Sequence, residues 1–552
     1  MVANTPEVKP TQGPVSTQGV FRRTASGLIR EMNMADHWMY NVFTLLVLTG
    51  AAQFYVWASG EFPATNPMLG LIVAAVLVVP IYLAYSMLAS AMPRSGGDYI
   101  FQSRILHPAV AFTALFALLV TEWYWLELSG FWIAAMTLSP LFSTLGVFVH
   151  SQTLLNLGAW FSSNWGIMIT TLVTNALIAL AFLPGLKTYL KVQWFLFAGV
   201  VISIVMMTFV LLTTSHATFV TNFNTFMASF DPAHANYYQY VIDAAKTAGF
   251  NPGSGGGLYG LIGVVAIAWF NLIWAVWSAM NLGEIKHASN FGKVNRVMQG
   301  SLAFGLLVMA GTMALLLKVC GQEFTLALGY DWFNRTIAFP VQPYTSILIP
   351  VMGGGAFVLI LTLFGFLTQA IQQSWNVFIG STRLIVAMSM DRLLPDGLGK
   401  ISRRFRSSPV NAILFLLIGG EALAVVFWFV PDLVKFTLST SLVATIYQSI
   451  TCLAAAIFPF TAKSIYNASP ISKYKIGKIP LLTLCGAWGF VVGVVLIAFY
   501  LIEPGLGLAS TAGLVGIGVI YVVSLVWFWV ARAMNKRKGI DIDLNFQQIP
   551  PE

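Results

Sequence analysis

A chain can cross the roughly 30 Å hydrocarbon layer of a bilayer only as a closed barrel or as helices of about 20 mostly apolar residues, because lipid offers no partner to a backbone N–H or C=O. Twelve segments of the helical kind occur here, near 39–58, 70–92, 109–137, 165–184, 191–213, 259–282, 300–320, 350–388, 409–430, 436–460, 481–503 and 510–532. Only 9% of the 552 residues are charged and 57% are hydrophobic, whereas a soluble domain carries about 25% charged residues. Too few charges exist to coat several soluble domains, so most of the surface must face lipid. The expected fold is an all-α polytopic membrane protein with twelve transmembrane helices. The segment near 350–388 is too long to lie wholly in the bilayer, and its end is expected to project into the cytoplasm.

Lys and Arg concentrate on the cytoplasmic side of membrane proteins. With the N-terminus inside, 25 of the 29 basic residues fall in cytoplasmic segments, among them Arg22, Arg23, Arg30, Arg94, Arg104, Arg392, Arg403, Arg404, Arg406 and Lys536. Only Lys246, Lys318, Arg335 and Lys435 fall outside. An odd helix count would scramble this partition. The chain is therefore expected in the cell (plasma) membrane, with cytoplasmic tails at 1–36 and 533–552 and an extracellular loop at 214–258. That loop either folds partly over the external mouth or serves as a flexible linker. Residues 1–20 lack the apolar core of a cleaved signal peptide and suggest a short disordered tail. The formal net charge of +9 is a topology signal, and no nucleic-acid partner is expected.

The sequence has no phosphate-binding Gly-Lys-Ser/Thr loop, no His-Glu-x-x-His and no serine elbow. Cys320, Cys452 and Cys485 are scattered among apolar neighbours and read as packing residues. No enzyme, cofactor or metal site is expected.

Polar groups at membrane depth carry more information. An acidic residue at a helix centre costs on the order of 3 kcal/mol and normally faces a cavity or a partner. Glu122 and Glu127 fall inside the third segment; Glu122 is the deeper, while Glu127 either shares its role or lies nearer the outer interface. The sixth segment carries Trp269-Phe270-Asn271-Leu272-Ile273-Trp274, where Asn271 needs a partner. Gln369 and Gln373, one turn apart in the eighth, either line a water path or bond neighbouring helices.

Three passages sharpen this picture. Pro93-Arg94-Ser95-Gly96-Gly97-Asp98-Tyr99 with His107-Pro108 resembles the loop after the second helix of amino acid–polyamine–organocation (APC) transporters. Gly283-Glu284-Ile285-Lys286 resembles the end of that family's sixth helix. Ser381-Thr382-Arg383-Leu384 through Asp391-Arg392-Leu393-Leu394-Pro395, then Ser408-Pro409-Val410-Asn411-Ala412, is similar to its eighth-helix exit and ninth-helix start. The resemblance spans about residues 25–530. It implies a five-plus-five inverted repeat at about 37–213 and 259–460, then two extra helices within 461–532. It also implies broken helices 1 and 6 that bind substrate through freed backbone groups.

By that resemblance, Thr49-Gly50-Ala51-Ala52 stands where the family has its first-helix glycine motif, and the sixth-helix break falls at Leu272–Ala275. The implied substrate-binding residues are Thr49, Gly50, Ala51, Ala52, Glu122, Phe270, Asn271, Ile273 and Trp274. The fifth-helix lysine that responds to protons in some members is missing around Val200. The implied function is secondary active transport of amino acids by alternating access, with lipid around it and a coupling ion the sequence does not name. A polyamine or other organic cation is the alternative substrate, and a sensor or channel the alternative use of the scaffold.

Overall fold

A computed structural model describes residues 28–252, 255–402, 405, 408–429, 437–506 and 511–549. Arg22, Arg23, Gly253, Ser254, Arg403, Arg404, Arg406 and Lys435 lie outside the described residues.

Among those described, eleven helices are long and apolar enough to cross a bilayer, and a shorter apolar helix brings the total to the expected twelve. TM1 comprises Met34–Thr44 (TM1a) and Val47–Glu61 (TM1b). TM2 is Pro67–Ala91, TM3 Pro108–Phe148, TM4 Asn164–Phe182 and TM5 Leu186–Thr213. TM6 comprises Gly257–Leu272 (TM6a) and the 3-10 turns Trp274–Met280 (TM6b). TM7 is Phe291–Cys320, TM8 Gly355–Met390, TM9 Val410–Phe429, TM10 Thr437–Thr461, TM11 Leu481–Ile502 and TM12 Thr511–Arg537.

The two halves repeat. The first span of each half is broken, and a helical linker joins the second span to the third: Gly97–Ile105 in one half, Gln322–Asn334 with Thr345–Met352 in the other. A unit of five spans starts on one side of the membrane and ends on the other, so the second unit is inverted.

TM8 has 36 residues, about 54 Å at helical rise, so it outruns the hydrocarbon as expected. It begins at Gly355 rather than near 350, because Gly353 and Gly354 take φ of 143° and 89° and detach the preceding helix. TM3 continues past 137 through a π-turn at Ala134–Leu138. Where hydrophobicity no longer drives association, close backbone approach does. A methyl group on Gly365 of TM8 would lie 2.1 Å from Ser203 of TM5, and one on Gly486 of TM11 2.4 Å from the Ala456 nitrogen of TM10.

Residues 214–258 are not a featureless linker. His216–Ala228 and Tyr237–Thr247 form helices whose side chains reach the TM7–TM8 linker. Tyr238 stacks on Phe324 at 4.3 Å and donates to the Cys320 carbonyl at 2.9 Å, and Asn222 donates to the Met352 carbonyl at 2.9 Å. This end is called distal. At the opposite, proximal end, Met32 bonds Glu284 and Lys286 through the backbone, and the segment Ile542–Gln547 contacts Arg104.

Candidate functional site

The breaks come first, since freed backbone groups must find partners in lipid. The sixth-span break lies where expected, at Ile273 between TM6a and TM6b. Its repair comes from TM2: the Tyr82 hydroxyl donates to the Leu272 carbonyl and accepts from the Ala275 N–H at 3.2 Å.

The first-span break is displaced from the expected Gly50–Ala52. It falls one turn earlier, at Leu45–Leu46, with Leu46 in the left-handed region at φ 53°. Ala51 and Ala52 have high helix propensity, so the helix runs straight through Thr49, Gly50, Ala51 and Ala52. The freed carbonyls of TM1a are taken locally and by TM8: Thr44 Oγ1 donates to Asn41 at 2.8 Å and Gln369 Nε2 to Phe43 at 3.0 Å. No side chain caps the N-terminus of TM1b, leaving it free to attract an anion.

Between the two breaks lies a cavity lined by Thr44, Glu122, Trp125, Trp274, Trp277, Gln373 and Val377. Its free volume is about 10 Å³, room for one water, so the site is nearly closed. Glu122 is 2% exposed, its Oε1 has no partner, and no described ion pair includes it. Trp125 meets Trp274 edge-on at 4.9 Å and stacks on Phe270 at 5.2 Å; Trp274 meets Trp277 at 6.3 Å. The indole N–H groups of Trp125 and Trp274 are buried and unbonded. A carboxylate, two free donors and three indole faces therefore converge on one small space.

The residues expected from sequence divide by position. Glu122 and Trp274 line the cavity, and Phe270 backs it through Trp125. Ile273 forms the break. Thr49, Gly50, Ala51, Ala52 and Asn271 do not line it. Gly50 instead packs against Asn271: a methyl group there would lie 2.7 Å from Asn271 Oδ1, and both amide atoms of Asn271 are buried without a partner. Thr345 Oγ1 reaches the Ala51 carbonyl at 3.4 Å. Thr44, Trp125, Trp277 and Val377 were missed, although Trp125 and Trp277 belong to the same aromatic runs as Glu122 and Trp274.

The TM8 polar stripe bonds neighbouring helices, and one of its members faces the cavity. Gln373 lines the cavity, while Gln369 bonds TM1a, and Gln372 and Asn376 form a network with Tyr189 and Gln193 of TM5.

The motifs that carried the resemblance gather at the proximal end and fasten it. Gly96 N–H donates to the Met280 carbonyl at 2.9 Å, and Gly97 packs on the Ala279 carbonyl so closely that a methyl group would lie 2.3 Å from it. Arg104 pairs with Asp391 at 2.9 Å, joined by the Tyr99 hydroxyl at 2.8 Å. Arg383 grips Glu284 in a bidentate pair at 2.6 and 2.8 Å. Asp98 lies on the linker helix, where burial raises its carboxyl to about 6 against hydrogen bonds from Thr451 and Tyr85 that lower it.

Residues 40–523 match a family model described as amino acid permease. The chain belongs to the amino acid permease family, within the APC superfamily. A search of curated proteins finds no match. As a permease it is a multi-pass membrane transporter, and its cavity between broken TM1 and TM6 lies where inverted-repeat transporters hold their substrates.

Proposed function

We propose that this permease carries amino acids across the cell membrane by alternating access. The observation that carries the proposal is Glu122: a buried carboxylate without a cation, walled by Trp125, Trp274 and Trp277. An ammonium group supplies the missing charge and gains from the indole faces. The uncapped N-terminus of TM1b answers a carboxylate. A second substrate class, organic cations such as polyamines, is favoured by the same Glu122, since no basic side chain lines the cavity. The nearly closed cavity fits an occluded stage of the cycle.

The expected repeats at 37–213 and 259–460 bracket this site, with 461–532 outside them. Val200 is buried in TM5 and supplies no ammonium for coupling. Counterflow tests the reading. In proteoliposomes loaded with an amino acid mixture, the wild type is expected to show saturable counterflow. Linear, unsaturable flux by the wild type would identify a channel instead.

The basic residues favour a cytoplasmic proximal end and an extracellular 214–258 hairpin. Thr247 and Lys538 are exposed at opposite ends, and the three native cysteines are buried. Thr247→Cys should react with an impermeant maleimide on intact cells and Lys538→Cys only after permeabilisation. The reverse pattern would invert the topology.

A further inference from the structure

A second acidic cluster lies off the substrate cavity. Glu127 of TM3 is 3% exposed, and its Oε2 has no partner. Both carboxylate oxygens of Glu421 on TM9 are also buried from solvent and unbonded. Their helices pack together beside the two acids. Leu126 packs on Gly420, within 2.9 Å of where a methyl group there would sit, and Glu421 acts electrostatically on Glu127. TM4 closes the third side. Asn175 is fully buried and donates Nδ2 to the Leu126 carbonyl at 3.2 Å, while its Oδ1 is left without a partner. Thr171 lies beside Glu127, close enough for its hydroxyl to hydrogen-bond the carboxylate, and the same hydroxyl reaches the Ile167 carbonyl at 2.9 Å.

Glu421 is the twelfth residue of the 20-residue TM9, so the cluster sits near mid-membrane. Glu127 follows Glu122 by five residues, about 140° around the helix, which turns it away from the cavity.

Among the described residues no cation serves the cluster. TM4 has no ionisable residue, and TM9 contributes only Glu421. On TM8, Arg383 is held by Glu284. TM10 carries Tyr447 and Cys452, and the linker helix carries Asp98, Tyr99 and Arg104, the last held by Asp391. TM12 carries Tyr521 and, toward its proximal end, Arg532, Lys536 and Arg537. Among the described groups only Glu421 acts on Glu127 as a charge.

Two carboxylates that repel each other in a low-dielectric site resist being ionised together. We propose that Glu127 and Glu421 form an exchangeable proton-binding site shared between TM3 and TM9, distinct from the substrate cavity. Proton occupancy relieves the cluster: a protonated carboxyl donates to an unbonded oxygen of its partner or to Asn175 Oδ1. TM3 also presents Glu122 and Trp125 to the cavity, so it physically joins the proton site to the transport site.

The test needs no substrate and is independent of what the permease carries. Full-length protein in liposomes is titrated while infrared spectroscopy follows the carboxylic C=O stretch of buried acids. The wild type should lose two carboxyl signals in separate steps that are missing from Glu127→Gln/Glu421→Gln. Each single variant should convert the two steps into one at an intermediate pH. A double variant that titrates like the wild type, or a wild type in which neither acid titrates, would overturn the proposal. Should the double variant fail to fold, the single variants decide by the same criterion.

Discussion

Glu122→Gln is expected to lower affinity for an ammonium-bearing substrate by about 30-fold to more than 1,000-fold, the range that follows from losing about 2–5 kcal/mol of a buried charge pairing. The amide keeps the shape and one acceptor but cannot carry the charge that a substrate cation neutralises. The empty protein should behave in the opposite way. Its carboxylate is buried without a cation, so replacing it by a neutral isostere should leave the apo form as stable or more so. Thermal-shift titration of purified protein against the amino acids and common polyamines reads both effects at once. The expected pattern is an unchanged or raised melting temperature without ligand and a lost ligand-induced shift. Wild-type affinity with normal uptake at every pH would remove Glu122 from the site. A drop in apo stability would make it a structural residue instead.

Arg383→Met should be the most damaging single change outside the cavity. Arg383 is 2% exposed and holds Glu284 through two short hydrogen bonds. Removing one partner leaves an uncompensated buried charge, at a cost of about 3–5 kcal/mol. The yield of monodisperse protein and its melting temperature should fall sharply. Removing the stranded charge as well, in Glu284→Met/Arg383→Met, should recover most of the loss, because apolar replacement of a whole buried pair is often neutral. A single variant as stable as the wild type would show that water reaches the pair. A double variant no better than the single would show that the bidentate geometry itself holds the turn after TM6b against TM8.

Local composition carried a good deal of this protein. Runs of about twenty apolar residues placed the spans, because the bilayer imposes a length on every one of them, and twelve helices resulted. Glu122 and Trp274 stood out because acids and dense aromatics at membrane depth demand a reason, and both line the cavity. The sixth-span break was also found in its place, at Ile273.

Contacts between distant parts of the chain decided the rest. Leu46 adopts a left-handed backbone at a residue with no local preference for it. It is held there while Gln369, more than 300 residues away, takes the Phe43 carbonyl. No short window around Gly50 contains that information, so the break was expected one turn too late. The same applies to Tyr82, whose hydroxyl bridges the TM6 break from another helix. Glu127 and Glu421 likewise act on each other only because TM3 and TM9 meet where Leu126 packs on Gly420. The apolar character of a segment is a sum over its own residues and can be read from sequence. The partner of a freed backbone group or a buried carboxylate is set by which helices meet, and that exists only once the bundle has closed.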